Sequence, residues 1–309
     1  MVMRKIGYIM AAVLLTLALL AGCGQGTQGT QGGQSSQSSQ ATPGSSTATP
    51  EPEAQPITVV SREDGSGTRG AFIELFGIEQ KEADGTRKDL TTKEAVIANQ
   101  TEVVLVSVAG DAGCIGYVSL GSLNDSVKAV DIDGAAATTD NVKSGMYSVS
   151  RPFIIATKGD PSGVAADFIG YILSAEGQAV VQSSHYIPLE AAEWQSGQPS
   201  GKITVAGSSS VTPLMEKLTE AYAVVNPNAV IEIQMSDSSA GLTAAIDGAC
   251  DIAMSSRDLK ETEAAELTPV KIAIDGIAVV VNKDNPVSNL TKDQVKAIFT
   301  GETLQWSDV

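Results

Sequence analysis

Ser61-Arg62-Glu63-Asp64-Gly65-Ser66-Gly67-Thr68-Arg69-Gly70 follows the apolar run 57–60 and precedes Ala71-Phe72-Ile73-Glu74-Leu75-Phe76. A strand, a turn of glycines and hydroxyls, and a helix in that order aim free backbone N–H groups, side-chain hydroxyls and a guanidinium at one spot. The helix dipole favours negative charge there. The stretch reads as half of an oxyanion cradle. Alone, it is equally an ordinary glycine-rich turn with a surface arginine, so the reading depends on partner loops elsewhere.

Such loops exist. Apolar runs predict strands over 203–206, 231–235, 252–254, 272–274 and 277–281, and helical spacing predicts helices over 213–225, 240–247 and 291–299. The alternation implies an α/β architecture with largely parallel sheets. Residues 102–108 fit a strand by their valines and a helix by their end at Gly110, and periodicity does not decide so short a run. Gly207-Ser208-Ser209-Ser210-Val211-Thr212-Pro213 leaves a strand and enters a helix, with a proline suited to the first turn. Ser236-Asp237-Ser238-Ser239-Ala240-Gly241 repeats the pattern, and Met254-Ser255-Ser256-Arg257-Asp258 again follows a strand. Each alone reads as helix capping. Four such loops together fit a ligand site at the carboxyl ends of strands.

The chain opens with a short basic stretch, 1–5, and an apolar stretch, 6–21, shorter than the about 20 apolar residues that span a bilayer. Leu20-Ala21-Gly22-Cys23 completes a lipoprotein-type leader, 1–22, whose removal would leave Cys23 acylated. Residues 23–56 are mostly Gly, Gln, Ser, Thr and Pro without apolar periodicity, a tether reaching on the order of 30 Å. Apolar residues make up 42% of the chain, enough for a real core, whereas aromatics at 4% and a net charge of −16 argue against a nucleic-acid partner. An anionic ligand must therefore be attracted by local dipoles and one or two arginines. Cys114 and Cys250 are buried thiols or a disulfide pair. One histidine, His185, without ligand spacing predicts no metal, and nothing predicts a cofactor. Neither Ser66 nor Ser209 has a nucleophile's surroundings, so the reading is not an enzyme.

The chain resembles the phosphate-binding lipoproteins of the high-affinity phosphate ABC importer, across nearly all of 57–309. The resemblance rests on 62–69, Ile115-Gly116-Tyr117-Val118-Ser119-Leu120-Gly121, Arg151-Pro152, Tyr186-Ile187-Pro188-Leu189, 207–213, 238–241, Ser255-Ser256-Arg257 and Asp275-Gly276-Ile277-Ala278-Val279. It implies an α/β, two-lobed, type II periplasmic-binding-protein fold that closes on its ligand by hinge motion. The order of the pieces differs from the family's: the serine loop ordinarily comes first, and a segment like Leu304-Gln305-Trp306-Ser307-Asp308-Val309 precedes the arginine loop. The resemblance therefore implies circular permutation, with 190–202 joining the family's usual end to its usual start. One continuous lobe would comprise 147–283, and the other 57–146 with 284–309.

Carried over residue by residue, the phosphate contacts would be Arg62, Ser66, Gly67, Thr68, Ser209, Ser210, Ser238 and Ser256. Asp64 would orient Arg62, and Arg69, Arg257 and Asp237 are further candidates. Hydrogen phosphate has a proton for a carboxylate to accept and sulfate has none. Some relatives carry an aspartate where Ser256 stands, which leaves Asp64, or Asp237, as the acceptor here. The resemblance implies an extracytoplasmic, lipid-anchored monomer that delivers phosphate to ABC permease subunits. A binding protein for sulfate or molybdate, or a phosphate sensor at the cell surface without a transport role, are the alternatives.

Overall fold

The computed structural model describes residues 55–82 and 87–309. The leader, Cys23 and all but the last two residues of the tether lie outside the described residues. Those two, Gln55 and Pro56, already belong to the folded part: Pro56 bridges Gln305, Trp306 N–H donates to Gln55 O (3.0 Å), and Ile57 N–H donates to Leu304 O (2.8 Å). No helix among the described residues is long and apolar enough to cross a membrane.

Nine strands form the main sheet: β1 (Thr58–Arg62), β2 (Val96–Ala98), β3 (Cys114–Ser119), β4 (Lys128–Ala129), β5 (Ser150–Thr157), β6 (Gly201–Ser208), β7 (Ala229–Ser236), β8 (Ile252–Ser255) and β9 (Thr268–Val281). Their order is β7-β6-β8-β5-β9-β3-β1-β2, with β4 also paired to β9. The sheet is mixed rather than largely parallel. β1 pairs in parallel with β2 and β3, and β6 with β7 and β8, but β5 and β9 run antiparallel to each other and to β8 and β3 respectively.

The two strands expected at 272–274 and 277–281 are one, β9. Its first part, through Gly276, pairs with β5, and Ile277–Val281 pair with β3. Asp275 does not break it, because a buried arginine on β5 opposes that carboxylate.

Side-chain alternation assigns the core. Ile277, Val279 and Val281 pack on one face with Phe72, Tyr117, Phe299 and Trp306, while Ala278 and Val280 pack on the other with Val60, Val104, Val108 and Cys114. In the other half Ile252 and Met254 join Phe153, Phe168, Leu218 and Tyr222, and Ala253 faces Ala206, Leu242 and Cys250. A sheet covered on both faces requires such near-continuous apolar strands. Each fully buried aliphatic or phenyl side chain contributes about 1.5–3 kcal/mol. The two largest clusters separate between Val149 and Phe153 on one crossing and between Ala273 and Ile277 on the other.

Four helices start just after strands: α1 (Gly67–Leu75), α2 (Thr101–Gly110), α3 (Thr212–Val225) and α4 (Ser238–Ile246). The ambiguous valine run is thus a helix, α2. Thr101, Val104, Leu105 and Val108 are buried while Val103 and Val106 are exposed, which is helical spacing and not alternation.

The segment 190–202, expected to be a linker, is fastened down at its middle. Trp194 packs edge-on against Tyr171 and covers Gly170, while Ser196 Oγ and Gly197 N–H donate to Asp167 (2.7 and 2.9 Å). Trp306 is buried in the other half, with its indole N–H on Gly113 O (3.0 Å). Cys114 and Cys250 are free thiols in separate clusters, and burial pushes the Cys114 thiol up to about 11.

Candidate functional site

Five strands, β1, β2, β6, β7 and β8, end on the loops that meet here, and α1 to α4 all start at them. Each helix leaves its first N–H groups unpaired within the helix and carries about half a positive unit charge at its start. Local chemistry sets those starts. Ser66 caps α1 by accepting from Arg69 N–H (3.3 Å), and Asp237 caps α4 by accepting from Ala240 N–H (2.8 Å). Gln100, before α2, provides no side-chain cap.

The side chains that converge are nearly all hydroxyls. Thr68, Thr101, Ser208, Ser209, Ser210, Ser238 and Ser256 are all buried. Thr68 Oγ1 lies 2.7 Å from Ser210 Oγ, and Thr101 Oγ1 lies 3.3 Å from Ser210 Oγ and 3.5 Å from Ser209 Oγ. Ser208 Oγ donates to Ser256 Oγ (2.9 Å), and Ser256 N–H donates to Ser238 Oγ (3.1 Å). Gly67 lies against this second group: a methyl in its place would come within 2.4 Å of Ser238 Oγ and 2.7 Å of Ser256 Oγ. Only a residue without a side chain fits so close an approach.

Arg62, 2% exposed, is the cation of the cluster. Tyr117 holds its backbone: the phenol accepts from Arg62 N–H (3.0 Å), shares a hydrogen bond with Ser61 (2.9 Å), and stacks on Phe72 at 3.9 Å between centroids. The guanidinium is used on two edges. Nε and Nη2 donate to the two Glu63 oxygens (2.8 and 2.7 Å), and Nε also to Ala98 O (3.2 Å). Nη1 and Nη2 donate to Thr101 Oγ1 (3.3 Å) and Ser209 Oγ (3.1 Å), so one fork faces the hydroxyls.

Glu63, and not Asp64, is therefore the residue that orients Arg62. Asp64 is 97% exposed and pairs with Arg69 (2.7 Å). Arg69 also bonds Asp89 (2.9 Å) and the Arg62 carbonyl (2.7 Å), bracing the loop from outside. Arg257 is bound to Glu263 (2.7 and 2.8 Å), Ser239 and Asp258. Among the described residues neither guanidinium bonds Thr68, Thr101, Ser208, Ser209, Ser210, Ser238 or Ser256. Asp237 lies over Gly65, where an added methyl would meet its carboxylate at 2.3 Å, and Ser239 N–H donates to Gly65 O (3.2 Å). These contacts seat the two sets of loops on each other.

Sequence reading missed Thr101, hidden by the strand-or-helix ambiguity of its segment, and Ser208. It also gave no role to Arg151. That side chain is buried, donates to Asp275 (3.1 and 3.3 Å) and to Ser256 O (3.1 Å), and so holds the Ser256 loop from behind. Asp275 also accepts from Ser119 Oγ (2.9 Å). Burial pushes the Asp275 carboxyl up to about 6, and the attraction of Arg151 and its hydrogen bonds only partly oppose this.

Rotatable hydroxyls, free N–H groups, four positive helix ends and one guanidinium fork can surround a small oxyanion without a metal-ligand cluster. Among the described residues no group of histidine, cysteine and carboxylates could hold a metal ion.

Residues 34–176 and 192–309 match a family model described as a PBP superfamily domain. The chain is 56% identical over 256 residues to a protein of Streptococcus agalactiae named Phosphate-binding protein PstS 2, covering 82% of this chain and 87% of that protein. A crystal structure described as a phosphate-binding protein of a phosphate ABC transporter, from Streptococcus pneumoniae TIGR4, is 47% identical. It superposes with a TM-score of 0.66, covering 82% of this chain and 99% of that one. A Phosphate-binding protein PstS of Staphylococcus haemolyticus is 41% identical over 117 residues, covering 35% of this chain and 37% of that protein.

Proposed function

The chain belongs to the PBP superfamily and, within it, to the PstS phosphate-binding proteins, and we propose that it captures inorganic phosphate in the hydroxyl cluster and delivers it to the membrane subunits of an ABC importer. The observation that carries this reading is the convergence of four helix starts, six hydroxyls (Thr68, Thr101, Ser209, Ser210, Ser238, Ser256) and the Arg62 fork that faces Thr101 and Ser209 on one buried point. Gly67 completes it through its backbone N–H, whereas the Ser66 N–H is donated to Glu63 O (3.0 Å) and Ser66 serves as the cap of α1. The Arg62 charge is matched by Glu63, so the helix ends and neutral donors carry the rest of the anion's charge. Its relatives are transporter binding proteins and not enzymes. Calorimetric titration of the purified protein with phosphate tests the function. One saturable site is expected, and no binding would refute it.

Thr101 enters this proposal as a ligand contact. Thr101→Val keeps the shape and removes the hydroxyl. Phosphate affinity should fall by about 10- to 100-fold, the weight of one hydrogen bond to a charged group, with unaltered affinity placing Thr101 outside the site.

The permuted order is part of the proposal. It is supported by the pairing of 55–57 with 304–306, and by a match of 256 residues to the streptococcal relative against 117 to the staphylococcal one. A local match stops where two chains present their halves in different order. The lobes follow: 147–283 against the remainder, with the division of the apolar clusters favouring crossings near 150–152 in β5 and 274–276 in β9. Extracytoplasmic location with lipid attachment at Cys23 completes the reading. Cys23→Ser should shift the protein from the membrane fraction to the medium on cell fractionation, and membrane retention of that variant would reject the anchor.

A further inference from the structure

A site that reads the proton of hydrogen phosphate needs a group that can only accept. Every carboxylate near the cluster is otherwise engaged. Both oxygens of Glu63 are held by Arg62 (2.7 and 2.8 Å). Asp64 points to solvent and Arg69. Asp237 accepts from the α4 backbone, and Asp275 lies behind the Ser256 loop on Arg151 and Ser119. Among the described residues no carboxylate accepts a hydrogen bond from Thr68, Thr101, Ser209, Ser210, Ser238 or Ser256.

A hydroxyl has one rotatable donor and two acceptor lone pairs. Facing a bare anion oxygen it donates, and facing a P–OH it turns and accepts. Replacing hydrogen phosphate by sulfate thus leaves no buried group of the protein unpaired and brings no fixed negative charge against the ligand. The loss is about one hydrogen bond, roughly tenfold in affinity. A site whose polar group is stranded by the analogue discriminates by about 10⁴-fold or more.

Resting on the phosphate-site reading, we propose that this cleft takes tetrahedral oxyanions as a class, selecting by size, shape and charge and only weakly by the ligand's proton, so that sulfate competes with phosphate and arsenate. Asp64 and Asp237 then have no part in selectivity.

The test is calorimetric competition on the purified protein at neutral pH and constant ionic strength, with phosphate, arsenate and sulfate as titrants. Arsenate should bind within about tenfold of phosphate, and sulfate should bind at the same stoichiometry, displacing phosphate with a dissociation constant within about 100-fold. Asp64→Asn and Asp237→Asn should leave the phosphate-to-sulfate ratio unchanged within about threefold. Phosphate binding with no displacement by a 10⁴-fold excess of sulfate, roughly the discrimination of a proton-reading carboxylate, would overturn this inference alone. So would a ratio that moves by more than about tenfold in either variant. Binding of none of the three anions would overturn both this inference and the phosphate reading on which it rests.

Discussion

Replacing Arg62 by methionine should lower phosphate affinity by about 10²- to 10⁴-fold, the combined weight of two charge-assisted hydrogen bonds at roughly 1.5–3 kcal/mol each. The effect has two sources. The fork formed by Nη1 and Nη2, now resting on Thr101 and Ser209, is lost as a ligand for two anion oxygens. The Glu63 carboxylate, now matched by the guanidinium (2.7 Å), is left as an uncompensated negative charge beside the anion. Arg62→Lys separates the two, because it keeps a charge but not the planar fork, and its affinity should lie between those of the wild type and the methionine variant. Circular dichroism establishes folding and calorimetry reads the affinity. An Arg62→Met protein that is folded and binds phosphate within threefold of the wild type, less than the roughly tenfold or more expected of even one lost charged hydrogen bond, would remove Arg62 from the site.

The largest effect on stability is expected at Arg151. Its partner Asp275 is fully buried, and removing one member of a buried ion pair costs about 3–5 kcal/mol because the other is stranded. Arg151→Met should therefore lower the melting temperature by on the order of 10 °C. The double variant Arg151→Met with Asp275→Leu, which removes both charges, should recover much of that loss. A melting point for the single variant within about 2 °C of the wild type, a shift worth less than roughly 1 kcal/mol, would contradict the pairing.

The same carboxyl sets a pH dependence. Its folded-state pKa is raised from 3.8 to about 6, so the folded chain holds this proton more tightly than the unfolded chain. The resulting contribution to stability is fully present below the unfolded value and is lost as pH rises through about 6. Asp275→Asn, which imitates the protonated side chain, should flatten that part of the stability profile between about pH 4 and 6.

Much of the site was legible because its chemistry is local. A serine or threonine between an apolar run and a helix is readable from a few residues, and Thr68, Ser209, Ser210, Ser238 and Ser256 do converge. What depends on the path of the chain was not. Asp64 was expected beside Arg62, but β1 ends at Arg62 and the turn folds Glu63 back onto the guanidinium while Asp64 faces outward. Thr101 could be placed only once its segment was known to be a helix, and that was decided by which valines the sheet covers. Arg151 and Asp275 are far apart in sequence, and the antiparallel register of β5 and β9 sets them opposite each other. That same antiparallel pair made the sheet mixed where alternating elements had suggested largely parallel strands.

The location of the cluster also explains how a chain with a formal charge of −16 could hold an anion. Surface carboxylates act at a distance that salt screens over about 8–10 Å. The helix ends and the Arg62 fork act within hydrogen-bond distance in a buried place.

The most direct test of the central claim is a crystal structure of the protein with phosphate bound, repeated with arsenate, whose anomalous scattering marks the anion's centre. The anion is predicted to sit among Arg62, Thr68, Thr101, Ser209, Ser210, Ser238 and Ser256, with oxygens about 2.7–3.0 Å from their donors. An anion found elsewhere, for example on Arg69 and Arg257, or a site that stays empty at saturating phosphate, would contradict it.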